Sequence, residues 1–147
     1  KRPPRPPSER IFNRLMIVRT VLVSCVIGLA ISGTYGWLLH YGGASAFAAG
    51  NLVLLLLVLI ENIHIGNCRS ETGSGFYNSP LRNPWLLGAA ITAQAAHLGA
   101  MNWGPTQRLL GLEPVSFMQW AAMFAISLSV LVVVELHKLL HRLRRRP

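Results

Sequence analysis

The chain has 147 residues, of which 52% are hydrophobic and only 13% charged, and its formal net charge at pH 7 is +9. Water-soluble domains of this size rarely combine so much apolar sequence with so little charge. The positive charge flanks apolar segments and does not form a basic groove interleaved with aromatic residues, so it does not indicate nucleic-acid binding.

Three long runs contain no Asp, Glu, Lys or Arg, namely residues 20–60, 83–107 and 114–134. A bilayer core of about 30 Å is crossed by about 20 residues of α-helix, so the first run fits two crossings and each of the others one. Strands are disfavoured because the runs lack the alternation of a barrel strand. The sequence therefore predicts an all-α membrane protein with four transmembrane helices, at about 15–40, 44–66, 84–102 and 117–141.

Local signals divide the chain further. Gly42 and Gly43 separate the first two predicted helices, and Ser116 is predicted to cap the fourth. The resulting segments are a basic Pro-rich stretch at 1–14, a four-helix transmembrane module at 15–141 and a basic tail at 142–147.

The basic residues predict the orientation of this module. Thirteen of the 14 Lys and Arg residues lie before the first helix, between the second and third, or after the fourth; only Arg108 lies on the opposite side. Cytoplasmic loops carry an excess of Lys and Arg, so both termini are predicted to be cytoplasmic. The C-terminal arginines are also expected to contact anionic lipid headgroups.

Small residues recur every four positions on three of the predicted helices, the shortest of these stripes being Ala121, Ala125 and Ser129 on the fourth helix. In lipid there is little hydrophobic drive between helices, so such faces allow the close backbone approach on which helix packing depends. They serve either packing within the four helices or docking onto further helices, and the sequence leaves both open. The first stripe comprises Ser24, Gly28, Ser32 and Gly36, and the second comprises Gly88, Thr92, Ala96 and Ala100.

Glu61 is an acidic residue within a predicted span. A buried carboxylate costs on the order of 2 to 3 kcal/mol on insertion scales, so it usually faces a partner, a cavity or an ion. Alternatively, the helix ends early and Glu61 lies near the headgroups. Glu61 and His64 share a helix face, as in the Glu-x-x-His motif of di-metal bundles, but such a centre needs a second copy and further carboxylates. Glu61 is therefore a candidate for a single cation ligand.

The sequence lacks the parts of an active site. His97 and the i, i+3 pair of Glu135 and Lys138 are predicted to have structural roles. The chain contains no aspartate and no Gly-rich phosphate loop followed by Lys-Ser or Lys-Thr. It is therefore not expected to form an aspartyl-phosphate, to hydrolyse ATP or to bind a cofactor alone.

Several stretches, taken in order, resemble the C-terminal end of calcium-type cation-transporting P-type ATPases, in particular bacterial ones. Each stretch is short, but together they span nearly the whole chain. They are residues 2–7, Ile60-Glu-Asn-Ile-His, Asn67-Cys-Arg-Ser, Asn83-Pro-Trp-Leu-Leu-Gly, His97-Leu-Gly-Ala-Met, Gly111-Leu-Glu-Pro-Val-Ser with Trp120, and Glu135-Leu-His-Lys.

The resemblance implies that the four spans correspond to helices seven to ten of a ten-helix transport domain in a bacterial inner membrane. Glu61 matches the acidic residue on helix eight that helps to bind the transported cation, such as calcium. A calcium site needs six or more oxygen ligands, and those from helices four to six are absent from this sequence. The first stripe resembles the face of helix seven that packs on helix five.

Three functions remain open at this point. The first is the C-terminal transport-domain segment of such a pump, in contact with lipids and with the other transmembrane helices. The second is a stand-alone accessory subunit of a larger membrane complex, derived from an ATPase tail. The third is a small ion or proton carrier that oligomerises around Glu61.

Overall fold

A computed structural model describes residues 14–67 and 83–144, and these residues confirm the predicted all-helical class. They contain five helices and no β-strand. Of the segments predicted at the two ends, 1–14 and 142–147, residues 1–13 and 145–147 lie outside the described residues, as do Arg69 and Arg82, while Arg14 and residues 142–144 lie in helices. The helices are α1 (Arg14–His40), α2 (Ala46–Asn67), α3 (Pro84–Asn102), α4 (Gly104–Leu110) and α5 (Phe117–Arg144).

Three of the helices have the length and apolar composition of a membrane span, over Met16–His40, Ala46–Gly66 and Phe117–Leu140. The third helix, α3, has 19 residues and is therefore about 28 Å long. It is not among the candidate spans, and the polar residues Gln94 and His97 lie within it. The structure thus supports three of the four predicted spans by composition.

Side chains of α2 form the centre of the hydrophobic core. Leu55, Leu56 and Ile60 are fully buried, and α2 packs most extensively against α5 and then against α1. The α5 side chains Val130 and Val134 fill the facing positions. The face of α2 that carries these residues is therefore turned towards α5.

The α1–α2 connection and the α3–α5 connection lie at the same end of the bundle. The Asn51 side-chain Nδ2 donates a hydrogen bond of 2.9 Å to the Glu113 backbone oxygen. A Cβ atom at Gly111 would lie 3.5 Å from the Phe47 ring. We call this region, formed by residues 41–45 and 103–116, the loop end. Consequently α3 runs towards the loop end and α5 runs away from it.

The helix starts follow from local capping chemistry. The Ser45 hydroxyl accepts the Ala48 amide at 3.0 Å, and the Asn83 side chain accepts the Leu86 amide at 3.1 Å. At α5 the Ser116 hydroxyl accepts the Gln119 amide at 3.2 Å while the Gln119 side chain accepts the Ser116 amide at 2.9 Å. This reciprocal pair is a capping box, which satisfies amides that the first helical turn leaves unpaired.

Candidate functional site: an exposed carboxylate on α2

Glu61 lies well inside α2, and its side chain is exposed at the surface of the module. It follows Ala46, the first residue of α2, by 15 positions, or about 22 Å along the helix axis. Among the described residues, none makes a hydrogen bond or ion pair with the Glu61 carboxylate. The helix continues to Asn67, so the early helix end considered from the sequence does not occur.

The face of α2 that carries Glu61 is flanked by α1 on one side and α3 on the other. Asn62 bonds to Gln94 of α3 through its side-chain amide, with 3.3 Å between the heavy atoms. His64 lines a cavity of about 430 Å³ between α1 and α2, together with Arg19 and Ser24. Because α5 covers the opposite face of α2, the Glu61 side chain points away from the module, between α1 and α3.

The described residues contain no group of three or more His, Cys, Asp or Glu side chains that could hold a metal ion. His64 lies on the helix face that Glu61 shares, while His97 lies on α3. A hard cation such as calcium takes six to eight oxygen ligands. Glu61 could supply only one carboxylate towards such a set, and the rest would come from outside this part of the chain.

The first stripe lies on the surface of α1. Ser24, Gly28 and Ser32 are exposed and Gly36 is partly exposed. A Cβ atom added at Gly28 or Gly36 would meet nothing within 4 Å. Ser24 also lines the cavity that contains His64 of α2, so the first stripe begins beside the flank of the Glu61 face.

The second stripe lies on the side of α3 that is turned away from α2. Gly88, Thr92 and Ala96 are exposed, and a Cβ atom at Gly88 would meet nothing within 4 Å. The contacts of α3 with α2 come from other positions, among them Gln94. Neither stripe is therefore used for close helix packing within the described module.

Gln94 is a polar residue of this region that the sequence analysis overlooked. It lies in a charge-free run and within the membrane-length helix α3. The reasoning that singled out Glu61 applies to it as well, since an amide in hydrocarbon requires a hydrogen-bonding partner. That partner is Asn62, and the bond fixes α3 against α2.

Glu135 and Lys138 form the ion pair predicted from their spacing, with 2.9 Å between Oε1 and Nζ. The sequence placed this pair at the membrane interface. The Lys138 side chain is only 1% exposed and that of Glu135 13%, because α5 packs tightly into the bundle at this point. The pair is therefore a buried element of the module.

Comparison with known proteins identifies related sequences. The family described as "Cation transporting ATPase, C-terminus" matches residues 1–140. "Probable cation-transporting ATPase F" of Mycobacterium tuberculosis is 29% identical over 147 residues, which cover 99% of this chain and 16% of that protein. The "Calcium-transporting ATPase" of Bacillus subtilis is 28% identical over 127 residues, covering 86% of this chain and 14% of that protein.

A plant relative shows the same pattern. "Calcium-transporting ATPase 2, endoplasmic reticulum-type" of Arabidopsis thaliana is 34% identical over 94 residues, covering 64% of this chain and 9% of that protein. The chain thus spans about a sixth, or less, of the length of these relatives. The family match extends over almost the whole sequence and agrees with the ordered motifs noted above. The chain belongs to the family of C-terminal regions of cation-transporting ATPases.

Proposed function

We propose that this chain is the C-terminal part of the transport domain of a P-type cation pump, and that Glu61 contributes one carboxylate to its cation pathway. The names of the relatives favour calcium as the first cation to test. In this proposal the module contacts the core transport helices through the outward faces of α1, α2 and α3. Catalysis by phosphoryl transfer belongs to parts of the pump outside this sequence.

The observation that carries the proposal is the position of Glu61. An ionised carboxylate on the membrane face of a span costs about 2.5 to 3.5 kcal/mol even on insertion scales, unless it finds a partner. The described residues supply none, and Glu61 faces outward between α1 and α3. A cation held jointly by Glu61 and by oxygen ligands of neighbouring helices would remove this cost.

The two stripes support the same arrangement. Their exposed small residues leave open surface where another helix backbone can approach closely. The first stripe adjoins the flank of the Glu61 face through Ser24. A core helix packed on the first stripe would therefore come near Glu61 as well.

The proposal includes a membrane topology of four spans with both termini in the cytoplasm. The geometry supports α3 as the fourth span, since it runs antiparallel to α2 and its length of about 28 Å approaches the thickness of a bilayer core. Arg108, the basic residue predicted on the far side, lies in α4 at the loop end. The mycobacterial and Bacillus relatives favour a bacterial inner membrane.

The ligand role is tested by replacing Glu61 with Gln in the complete gene product. Glutamine keeps the size of the side chain and removes its charge, so the apparent affinity for calcium in phosphoenzyme formation should fall at least tenfold. Glu113→Gln is the matched control, because Glu113 lies at the loop end and its backbone oxygen is the atom that binds Asn51. An unchanged calcium affinity in the Glu61→Gln protein would remove the ligand role.

The exposed stripes fit a second function equally well, that of an accessory subunit docked on a larger membrane complex. Purification of the tagged chain in mild detergent separates the two. Recovery within one polypeptide that also carries a phosphorylation domain supports the pump. Recovery as a separate chain bound to other membrane subunits supports the accessory subunit.

A further inference from the structure

Two large apolar side chains at the loop end are strongly exposed. Leu109 and Leu110 of α4 are 82% and 60% exposed. Burial of a leucine side chain is favourable, so a pair that faces water forgoes stabilisation. Trp103 within the loop end and Phe117 and Met118 directly after it are also exposed, to 62%, 80% and 76%.

Hydrogen bonds fix α4 in the orientation that exposes these side chains. The Thr106 hydroxyl donates a hydrogen bond of 2.6 Å to the Ala100 oxygen, and the Gln107 side chain donates one of 2.7 Å to the Met101 oxygen. These bonds satisfy carbonyl groups at the C-terminal end of α3, which helix geometry leaves unpaired. They tie one side of α4 to α3 and leave Leu109 pointing outward.

The end of α4 is fixed in the same way. Gly111 adopts φ +63°, which favours glycine, and its amide bonds to the Gln107 oxygen. Phe47 of α2 lies beside Gly111. The orientation of α4 is therefore set from both α3 and α2.

The depth of the segment that follows α4 is indicated by its contact with α2. Asn51, which bonds to the Glu113 backbone oxygen, lies five residues after Ala46, or about 7.5 Å inside the start of α2. Since α1 and α2 have the composition of membrane spans, their connection marks the membrane surface. The chain after α4 consequently lies deeper in the membrane than the start of α2, at the level of the lipid headgroups and upper acyl chains.

We propose that residues 103–118 form an interfacial anchor that lies in the bilayer surface at the loop end. Leu109 and Leu110 insert among the upper acyl chains, and the exposed Arg108 contacts lipid phosphate groups. Trp103 is suited to the same layer, because tryptophan is enriched at membrane interfaces. The inference requires only that α1 and α2 cross the bilayer, so it is independent of the pump function and of Glu61.

Site-directed spin labelling of the complete gene product tests the anchor. All native cysteines, Cys25 and Cys68 among them, are replaced by serine, and single cysteines are placed at positions 108, 109 and 110 for nitroxide attachment. The protein is reconstituted into vesicles of phosphatidylethanolamine and phosphatidylglycerol. Collision rates with oxygen, which concentrates in lipid, and with a water-soluble nickel chelate are then measured. Val132→Cys, an exposed position in the middle of α5, provides the lipid reference.

We expect labels at 109 and 110 to collide with nickel severalfold less often than the label at 108, and to collide with oxygen nearly as often as the label at 132. Two results would overturn the anchor. Nickel access at 109 and 110 as high as that of a water-exposed site, with oxygen access well below that of the lipid reference, would place both residues in water. Loss of both oxygen and nickel access at 109 and 110 would show that another protein segment covers them. Because all three positions are exposed, labelling is not expected to disturb folding; repetition at Trp103 and Met118 provides an independent reading.

Discussion

The side chain of Asn62 on α2 donates a hydrogen bond to the side-chain oxygen of Gln94 on α3, with 3.3 Å between Nδ2 and Oε1. This bond joins two helices that otherwise share few contacts. It also lies one residue from Glu61, so it helps to fix α3 at the border of the exposed acidic face. The Asn62–Gln94 hydrogen bond and the candidate cation ligand Glu61 therefore lie on the same turn of α2.

Replacement of Gln94 by leucine should lower the free energy of unfolding by about 1 kcal/mol, because the Asn62 amide loses its acceptor in a dry environment. Reversible unfolding in mixed lipid and sodium dodecyl sulfate micelles measures this change. A double-mutant cycle with Asn62→Leu should give a coupling of about 0.5 to 1.5 kcal/mol. Thr92→Leu, on the exposed side of α3, is the control; a coupling of zero would show that the bond contributes nothing.

Asn51→Ala should loosen the connection between α3 and α5. The substitution removes the bond to the Glu113 backbone oxygen, which ties this connection to α2, and should cost about 1 kcal/mol. Hydrogen exchange should become faster over residues 103–116 and remain unchanged in the middle of α2. Asn102→Ala is the control, because the Asn102 side chain bonds within α3, to the Leu98 oxygen. Equal exchange in the two variants would contradict the proposed tie.

The helices themselves were predictable because local chemistry determines where they start. Ser116 with Gln119 forms the capping box that begins α5, and both residues are adjacent in sequence to the helix they cap. The short helix α4 was not predicted, because Gly104 and Pro105 indicate a break when taken alone. Its stability depends on hydrogen bonds to the end of α3, and such contacts leave no local pattern.

The direction in which the Glu61 side chain points could not be predicted from the sequence either. The α2 segment is apolar all round, since leucine or valine occupies positions 52–58, so no periodicity distinguishes a core face from an outer one. The carboxylate could be recognised as unusual, but only the packing of α5 on Leu55 and Leu56 shows that Glu61 faces outward. The alternative of an early helix end is excluded because α2 continues to Asn67.

The exposed first stripe predicts different effects for two glycines of α1. A Cβ atom would meet nothing within 4 Å at either Gly28 or Gly33, so leucine should fit at both positions within the module. Gly33, however, lies on another face of α1, along a groove shared with α5. In the complete gene product, Gly28→Leu should therefore abolish close packing on the core helices and reduce cation transport strongly.

Transport assays in vesicles, together with thermal unfolding of the 147-residue chain alone, separate the packing effect from a folding defect. The isolated chain should tolerate both leucine substitutions equally, since neither position is filled there. In the complete protein Gly33→Leu should keep most of the transport activity. If both variants lose activity to the same extent, the first stripe is not a specific packing face.

The buried pair of Glu135 and Lys138 should be a major determinant of the stability of α5. Lys138→Met removes one charge and leaves the largely buried carboxylate of Glu135 without this partner, which typically costs about 3 to 5 kcal/mol. The double variant Glu135→Gln, Lys138→Met removes both charges, so it should be less destabilised than the sum of the two single variants. Unfolding curves of the four proteins give the coupling, and Leu139→Met, an exposed neighbour, controls for the methionine. Purely additive losses would show that the two side chains do not stabilise each other, despite their separation of 2.9 Å.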